Sequence, residues 1–225
     1  MSRLAFIIQM LKQGQSRHII RWLKSLRKNY LLDEASPWLT FDSIIFLRQR
    51  LRRGAQVFEY GSGGSTLFWL KSGAACVSVE HDPNWYALVR RLLPAAPAVD
   101  YRLVPPEPSN DVAGALDPAN PDHYVSADPA FRGLVFREYV SQIDVFPDGY
   151  FDVVLIDGRA RPSCIKHSVR KVRAGGLLIL DNADLGYYLV QTAPLLEKFE
   201  PKVFFGAGPA TPAMWKTNTY IRSSS

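Results

Sequence analysis

From residue 55 onward, runs of strand length alternate with stretches of helical periodicity, and few folds accommodate that alternation. Residues 55–60, 76–80 and 99–104 read as strands, and residues 65–72 and the stretch after Asp82 read as helices. Helices that return the chain between successive strands build a mostly parallel sheet covered on both faces. Local signals agree with this. Gly73 suits a left-handed cap, Asp82 can cap a helix with Pro83 at its first position, and Trp85, Leu88, Val89 and Leu92 form one apolar stripe. Residues 151–156 and 177–180 are apolar throughout, as strands buried on both faces are. Between them Ile165, Val169 and Val172 predict one side of a helix closing at Gly175-Gly176. Residues 187–199 read as helical despite Pro194, and 202–205 with 215–221 as a terminal antiparallel hairpin. No internal repeat is visible. Residues 105–133 break the rhythm with six prolines, as a functional lid or a disordered insertion would.

Glu59-Tyr60-Gly61-Ser62-Gly63-Gly64-Ser65-Thr66 joins the first strand to the first helix. A glycine-rich turn there lets backbone N–H groups approach a nucleotide-like ligand. Glu80 ends the second strand nineteen residues after Gly61, where a carboxylate can accept both hydroxyls of a ribose. A glycine turn that binds nothing is the plain alternative, and the pairing of Glu59 with Glu80 argues against it.

With these residues the chain resembles the class I S-adenosylmethionine-dependent methyltransferases, whose first motif is a hydrophobic strand, an acid, any residue, then Gly-x-Gly-x-Gly. Ser65 replaces the third glycine. The resemblance covers residues 54–222 and implies an α/β, Rossmann-like fold: a mostly parallel seven-stranded sheet with a terminal antiparallel strand pair. It also implies S-adenosyl-L-methionine as cofactor, held around Glu59, Tyr60, Gly61, Ser62, Gly63, Ser65, Thr66, Glu80, His81 and Asp157. Glu59 would orient the turn and engage the cofactor ammonium, Glu80 would hold the ribose, and His81 would lie beside the adenine. A nicotinamide-dependent dehydrogenase is the structural competitor, but pyrophosphate needs a third glycine and tolerates Glu59 poorly.

Asp157 ends the fourth strand and Asp181-Asn182 the fifth, so their oxygens should converge in one crevice beside the cofactor. Hard oxygen donors suit Mg²⁺ or another divalent cation. The pattern is similar to catechol-type O-methyltransferases, which implies a metal at Asp157, Asp181 and Asn182 that lowers the pKa of an acceptor hydroxyl. Equally open is the reading in which both aspartates cap helices and satisfy loop N–H groups. Ala160 stands where those enzymes carry a lysine base. Arg159 and Arg161 then suit an anionic acceptor or a developing oxyanion, and His167 or His123 is an alternative base. The expectation is O-methylation of a small-molecule acceptor, with Asp157, Arg159, Arg161 and His167 as the catalytic candidates.

Charge bears on partners. The net charge is +6, yet residues 1–53 hold eleven Lys/Arg against Asp33, Glu34 and Asp42, so the remainder is slightly acidic. That body lacks the basic face of a nucleic-acid enzyme, and residues 157–160 lack the Asn/Asp-Pro-Pro-aromatic turn that holds a base amine. A nucleic-acid methyltransferase would depend on the basic arm, and a non-catalytic interaction module is a further alternative. Residues 1–53 read as a helical N-terminal extension and 54–225 as the methyltransferase domain. In the extension Ile19, Trp22, Leu23, Leu26 and Tyr30 form an apolar face beside Arg17, Arg21, Lys24 and Lys28. That face docks on the body, or serves a peripheral membrane or protein contact together with the apolar Leu4, Phe6, Ile7, Ile8, Met10 and Leu11. Two cysteines, no signal-peptide pattern and no apolar run of spanning length point to the cytoplasm. Oligomeric state has no signal in the sequence.

Overall fold

A computed structural model of the chain describes residues 1–94, 99–109 and 116–224. Residues 110–115 of the proline-rich loop lie outside it. Helices α1 (Arg3–Lys12), α2 (Ile19–Ser25), α3 (Tyr30–Asp33) and α4 (Phe41–Arg50) precede the alternating body. The body runs β1 (Gln56–Tyr60), α5 (Gly64–Lys71), β2 (Ala75–Glu80), α6 (Pro83–Arg90) and β3 (Val99–Leu103). After the short pair β4 (Glu107–Pro108) and β5 (Leu134–Val135) come α7 (Arg137–Ser141), β6 (Phe151–Ile156), α8 (Arg161–Ser168) and β7 (Val172–Leu180). The chain ends with α9 (Tyr187–Val190), β8 (Phe199–Ala207) and β9 (Met214–Arg222).

The main sheet has seven strands in the order β3-β2-β1-β6-β7-β9-β8. The first five are parallel, and β9 runs antiparallel to both β7 and β8. The order in which successive strands are added reverses between β1 and β6, the switch point at which open α/β sheets bind ligands beyond the strand C-termini. Asp82 caps α6 by accepting from the Asn84 and Trp85 amides, and Gly73 ends α5 at φ +75°.

Two expectations change. Val172 is not on a helix face; it pairs with Phe151 at the start of β7, and Gly175-Gly176 lie inside that strand. Gly175 has φ +71°, and the β6–β7 register shifts between Phe151 and Val153, so the glycines accommodate a bulge rather than a helix cap. The helix expected over 187–199 is interrupted: α9 ends at Val190, Pro194 opens a short 3₁₀ turn, and Phe199 already pairs with Arg222.

The N-terminal helices form part of the core. Phe6, Met10, Trp22, Phe41 and Ile44 pack in one cluster with Trp69 of α5 and with Val57, Val153, Leu155 and Ile179 from one face of the sheet. The Trp22 indole donates to the Thr211 carbonyl at 2.9 Å, and Arg17 and His18 both reach the Asp42 carboxylate. The extension also closes on the glycine turn. A Cβ at Gly64 would stand 2.1 Å from the Ser36 carbonyl oxygen and 2.7 Å from that of Leu31. Backbone cannot yield as a flexible side chain does, so Gly64→Ala should cost about 1–3 kcal/mol. In a chain of this size that lowers the unfolding temperature by roughly 3–10 °C in a thermal melt. An unchanged melting temperature would show that the extension does not bear on Gly64.

Candidate functional site

The turn after β1 is held from below by a buried carboxylate. Glu59 is fully buried; Thr66 Oγ1 donates to its Oε1 and the Trp69 indole to Oε2 at 2.9 Å. Thr66 Oγ1 accepts in turn from the Gly63 amide at 3.0 Å. Burial raises the Glu59 pKa, and the hydrogen bonds from Thr66, Ser78, Ser65 and Trp69 offset that only in part. Both oxygens are taken by side chains of α5, and through Thr66 one of them holds the Gly63 amide of the turn. Tyr60 also points inward, its hydroxyl donating to the Val140 carbonyl at 2.7 Å. Ser65 and Thr66 are buried at the start of α5.

Gly61 and Gly63 carry the bends of the turn. Gly61 has φ +88°, and a Cβ there would stand 3.1 Å from the Asp157 carbonyl carbon and the Gly158 amide nitrogen. Gly63 has φ +144° and lies under the ring of Trp85, whose indole donates to the Ser62 carbonyl at 2.9 Å. Only glycine combines these dihedrals with that proximity.

Glu80 is buried at the end of β2. Its Oε2 accepts from the Ser62 amide (3.0 Å) and hydroxyl (2.7 Å), its Oε1 from the His81 (2.7 Å) and Asp82 (2.9 Å) amides. Burial alone would raise its pKa, but the bonds from His81, Asp82 and Ser62 outweigh it and hold it at about 2. The Ser62 hydroxyl also lies 2.7 Å from Tyr101 Oη, so it has a second partner if a ligand hydroxyl claims Glu80. His81 stands edge-on to Phe131, Phe136 and Tyr139, an aromatic wall beside the turn. Tyr139 Oη is buried with no hydrogen-bond partner, directly against Gly158.

At the ends of β6 and β7 a cation holds the acids. Arg161 is buried and donates from Nε to the Gly158 carbonyl (3.0 Å) and from Nη2 to both the Asp157 carbonyl and Oδ1 (3.1 Å each). Its Nη1 donates to the Asp181 carbonyl. The Asp181 carboxylate points the other way, its Oδ1 accepting from the Trp215 indole at 2.9 Å and Thr217 Oγ1 at 2.6 Å. Asn182 adopts φ +49°. This arrangement does not fit a divalent ion. Arg161 takes up the Asp157 carboxylate, Trp215 and Thr217 of β9 take up that of Asp181, and no cluster of three His, Cys, Asp or Glu among the described residues has metal-holding geometry. Burial raises the Asp157 pKa, the neighbouring Asp181 raises it further, and Arg161 opposes both. Asp181 is raised by burial against Arg161, Thr217 and Trp215.

The described part of the proline-rich loop lies over these strand ends. Asp128 pairs with Arg159 at 3.0 Å, and the Arg159 guanidinium stacks over Phe131. A cavity of about 330 Å³ opens here, its wall including Val125, Asp128, Arg159, Arg161, Tyr187 and Tyr188. His167 sits near the other end of α8, between Tyr124 Oη (3.1 Å) and the Asp144 carboxylate (2.8 Å), and so anchors the loop outside the crevice. His123 bonds within the loop, to the Asp117 amide and the Asn120 side chain. Trp85, Tyr101, Phe131, Tyr139 and Tyr188 carry no local motif. Gly158, adjoining Asp157, is the one further site residue that a reading of strand ends could have found.

Solved structures share this architecture. The O-methyltransferase TomG from Streptomyces achromogenes, involved in tomaymycin synthesis and solved with S-adenosylmethionine, matches at a TM-score of 0.56 and 13% identity, over 88% of this chain and 92% of that one. The cofactor-bound protein Rv0187 from MTB matches at 0.53 and 17% identity, over 87% of each chain. No family model and no curated protein matches the sequence. At these identities the likeness shows the fold: the chain has the Rossmann-like fold of S-adenosylmethionine-dependent methyltransferases.

The depressed pKa of Glu80 has a consequence for stability. Folded Glu80 stays ionised down to about pH 2, whereas the unfolded side chain takes up its proton near pH 4.5. Its contribution, roughly 3 kcal/mol, is complete above the unfolded value and lost as pH falls toward the folded one. In urea titrations the wild-type chain should therefore lose stability more steeply than Glu80→Gln as pH falls from about 5 to 3. Equal slopes would mean that Glu80 is not held by these bonds.

Proposed function

We propose that the chain is an S-adenosylmethionine-dependent methyltransferase acting on a hydroxyl of a small-molecule acceptor, without a metal. The observation that carries this reading is the meeting of the Gly61 turn with Asp157-Gly158 at the β1–β6 switch point, with Glu80 one strand away. A cofactor lying across that edge would receive backbone contact at Gly61 and Gly63 and place its ribose hydroxyls on Glu80, displacing the Ser62 hydroxyl toward Tyr101. His81 and its aromatic neighbours offer apolar cover for an adenine. When bound, the cofactor supplies a methyl group on a sulfonium, activated enough to be attacked in line by an oxygen lone pair.

The protein's own residues position the acceptor, exclude water and take a proton. The cavity is lined by Gly158, the residue after Asp157, and by Arg161, which bonds the Asp157 carboxylate, and it is of a size for a small molecule. Asp157, raised toward the neutral range by burial and Asp181, is the carboxylate suited to accept the hydroxyl proton. Arg161 keeps that carboxylate in place with a fixed guanidinium. TomG, an O-methyltransferase of the same fold, supports oxygen as the acceptor atom.

Calorimetric titration with S-adenosylmethionine tests the reading. Wild-type protein should bind, and Glu80→Gln should bind about 10- to 100-fold more weakly, because hydrogen bonds to a charged group contribute roughly 1.5–3 kcal/mol. No heat of binding at millimolar cofactor, or equal affinity in the variant, would sink it.

A further inference from the structure

The N-terminal helices have two faces, and the fold uses only one. On α1, Phe6 and Met10 are buried in the core, while Leu4, Ile8 and Leu11 line the opposite side; Leu4 is 68% and Leu11 55% exposed. On α2, Trp22 is buried and Ile20 and Leu23 face outward, Ile20 being 69% exposed. Spacings of i, i+4, i+7 and i, i+3 make each set a stripe rather than a scatter. The helices are held side by side through the Phe6–Trp22 contact, with ring centroids 4.9 Å apart.

The charge around those stripes has one sign. Arg17 pairs with Asp42, Arg27 pairs with Glu34, and Arg21 stacks over Phe41. Arg3, Lys12, Lys24 and Lys28 are exposed and have no acidic partner among the described residues. Exposed Leu and Ile stripes flanked by unpaired basic side chains on rigidly mounted helices complement an anionic lipid surface: the alkyl groups enter the headgroup boundary and the cations meet phosphates. No helix among the described residues is long and apolar enough to cross a membrane, so the contact would lie along the bilayer plane. We propose that the outer face of α1 and α2 docks this protein on an anionic bilayer.

Co-sedimentation of the full chain with vesicles tests it, using phosphatidylcholine alone and phosphatidylcholine mixed with phosphatidylglycerol. The protein should sediment with the mixed vesicles at low ionic strength, be released by salt, and stay in solution with phosphatidylcholine alone. Each basic side chain near the surface contributes about 1 kcal/mol, or ~5-fold in affinity, so Lys12→Glu with Lys24→Glu should weaken binding at least ~25-fold. Leu4→Ser with Leu11→Ser should weaken it as well and leave the thermal melt unchanged, since neither side chain is in the core. Failure to sediment with the mixed vesicles, as an acidic protein partner would produce, would overturn the proposal. Equal binding to both lipids or full binding by the charge-reversed variant would also overturn it.

Discussion

Four hydrogen bonds from one buried guanidinium, that of Arg161, tie the end of β6 to the end of β7. Carbonyls at the C-terminal ends of parallel strands have no further strand residue to accept from, and Arg161 satisfies those of Asp157, Gly158 and Asp181 together. It also offsets the buried carboxylate of Asp181 and the half-buried one of Asp157, which would otherwise repel each other. A buried charge set of this kind is costly to break and is worth little as net stability. Its value here is positional: it sets where the Asp157 carboxylate stands and turns that of Asp181 toward Trp215 and Thr217.

A second buried acid does comparable work on the other side of the crevice. Glu59 fixes Thr66 and Trp69, Thr66 fixes the Gly63 amide, and Gly64 admits the backbone of Leu31 and Ser36. The cofactor-facing turn is therefore joined to the N-terminal layer by direct contact. Residues 1–53, distinct in charge, share the hydrophobic core with the sheet and leave only their outer stripes unpartnered.

Much of this was legible from residues alone. The parallel strands follow from apolar runs of the right length, and the start of α6 from Asp82-Pro83, because those signals act locally. Gly175-Gly176 misled because a glycine pair that ends a helix and one that permits a bulge look the same without the partner strand. The acids stand at the strand ends as read, but their carboxylates do not converge, because that of Asp181 faces Trp215 and Thr217. A carboxylate's spacing shows where it sits, whereas its partner depends on side chains far off in sequence, such as Trp215 for Asp181. His167 likewise could not be assigned without Tyr124 of the loop and Asp144 after α7.

The proposed deprotonation of the acceptor by Asp157 makes its own demand on the chemistry. The direct measurement is transfer of tritium from methyl-labelled S-adenosylmethionine into a metabolite extract, run in excess chelator while pH is raised through the neutral range. The account predicts a labelled product in chelator, formed faster as Asp157 loses its proton and levelling off once it is ionised. No labelled product, or one formed only after a divalent ion is added back, would contradict it.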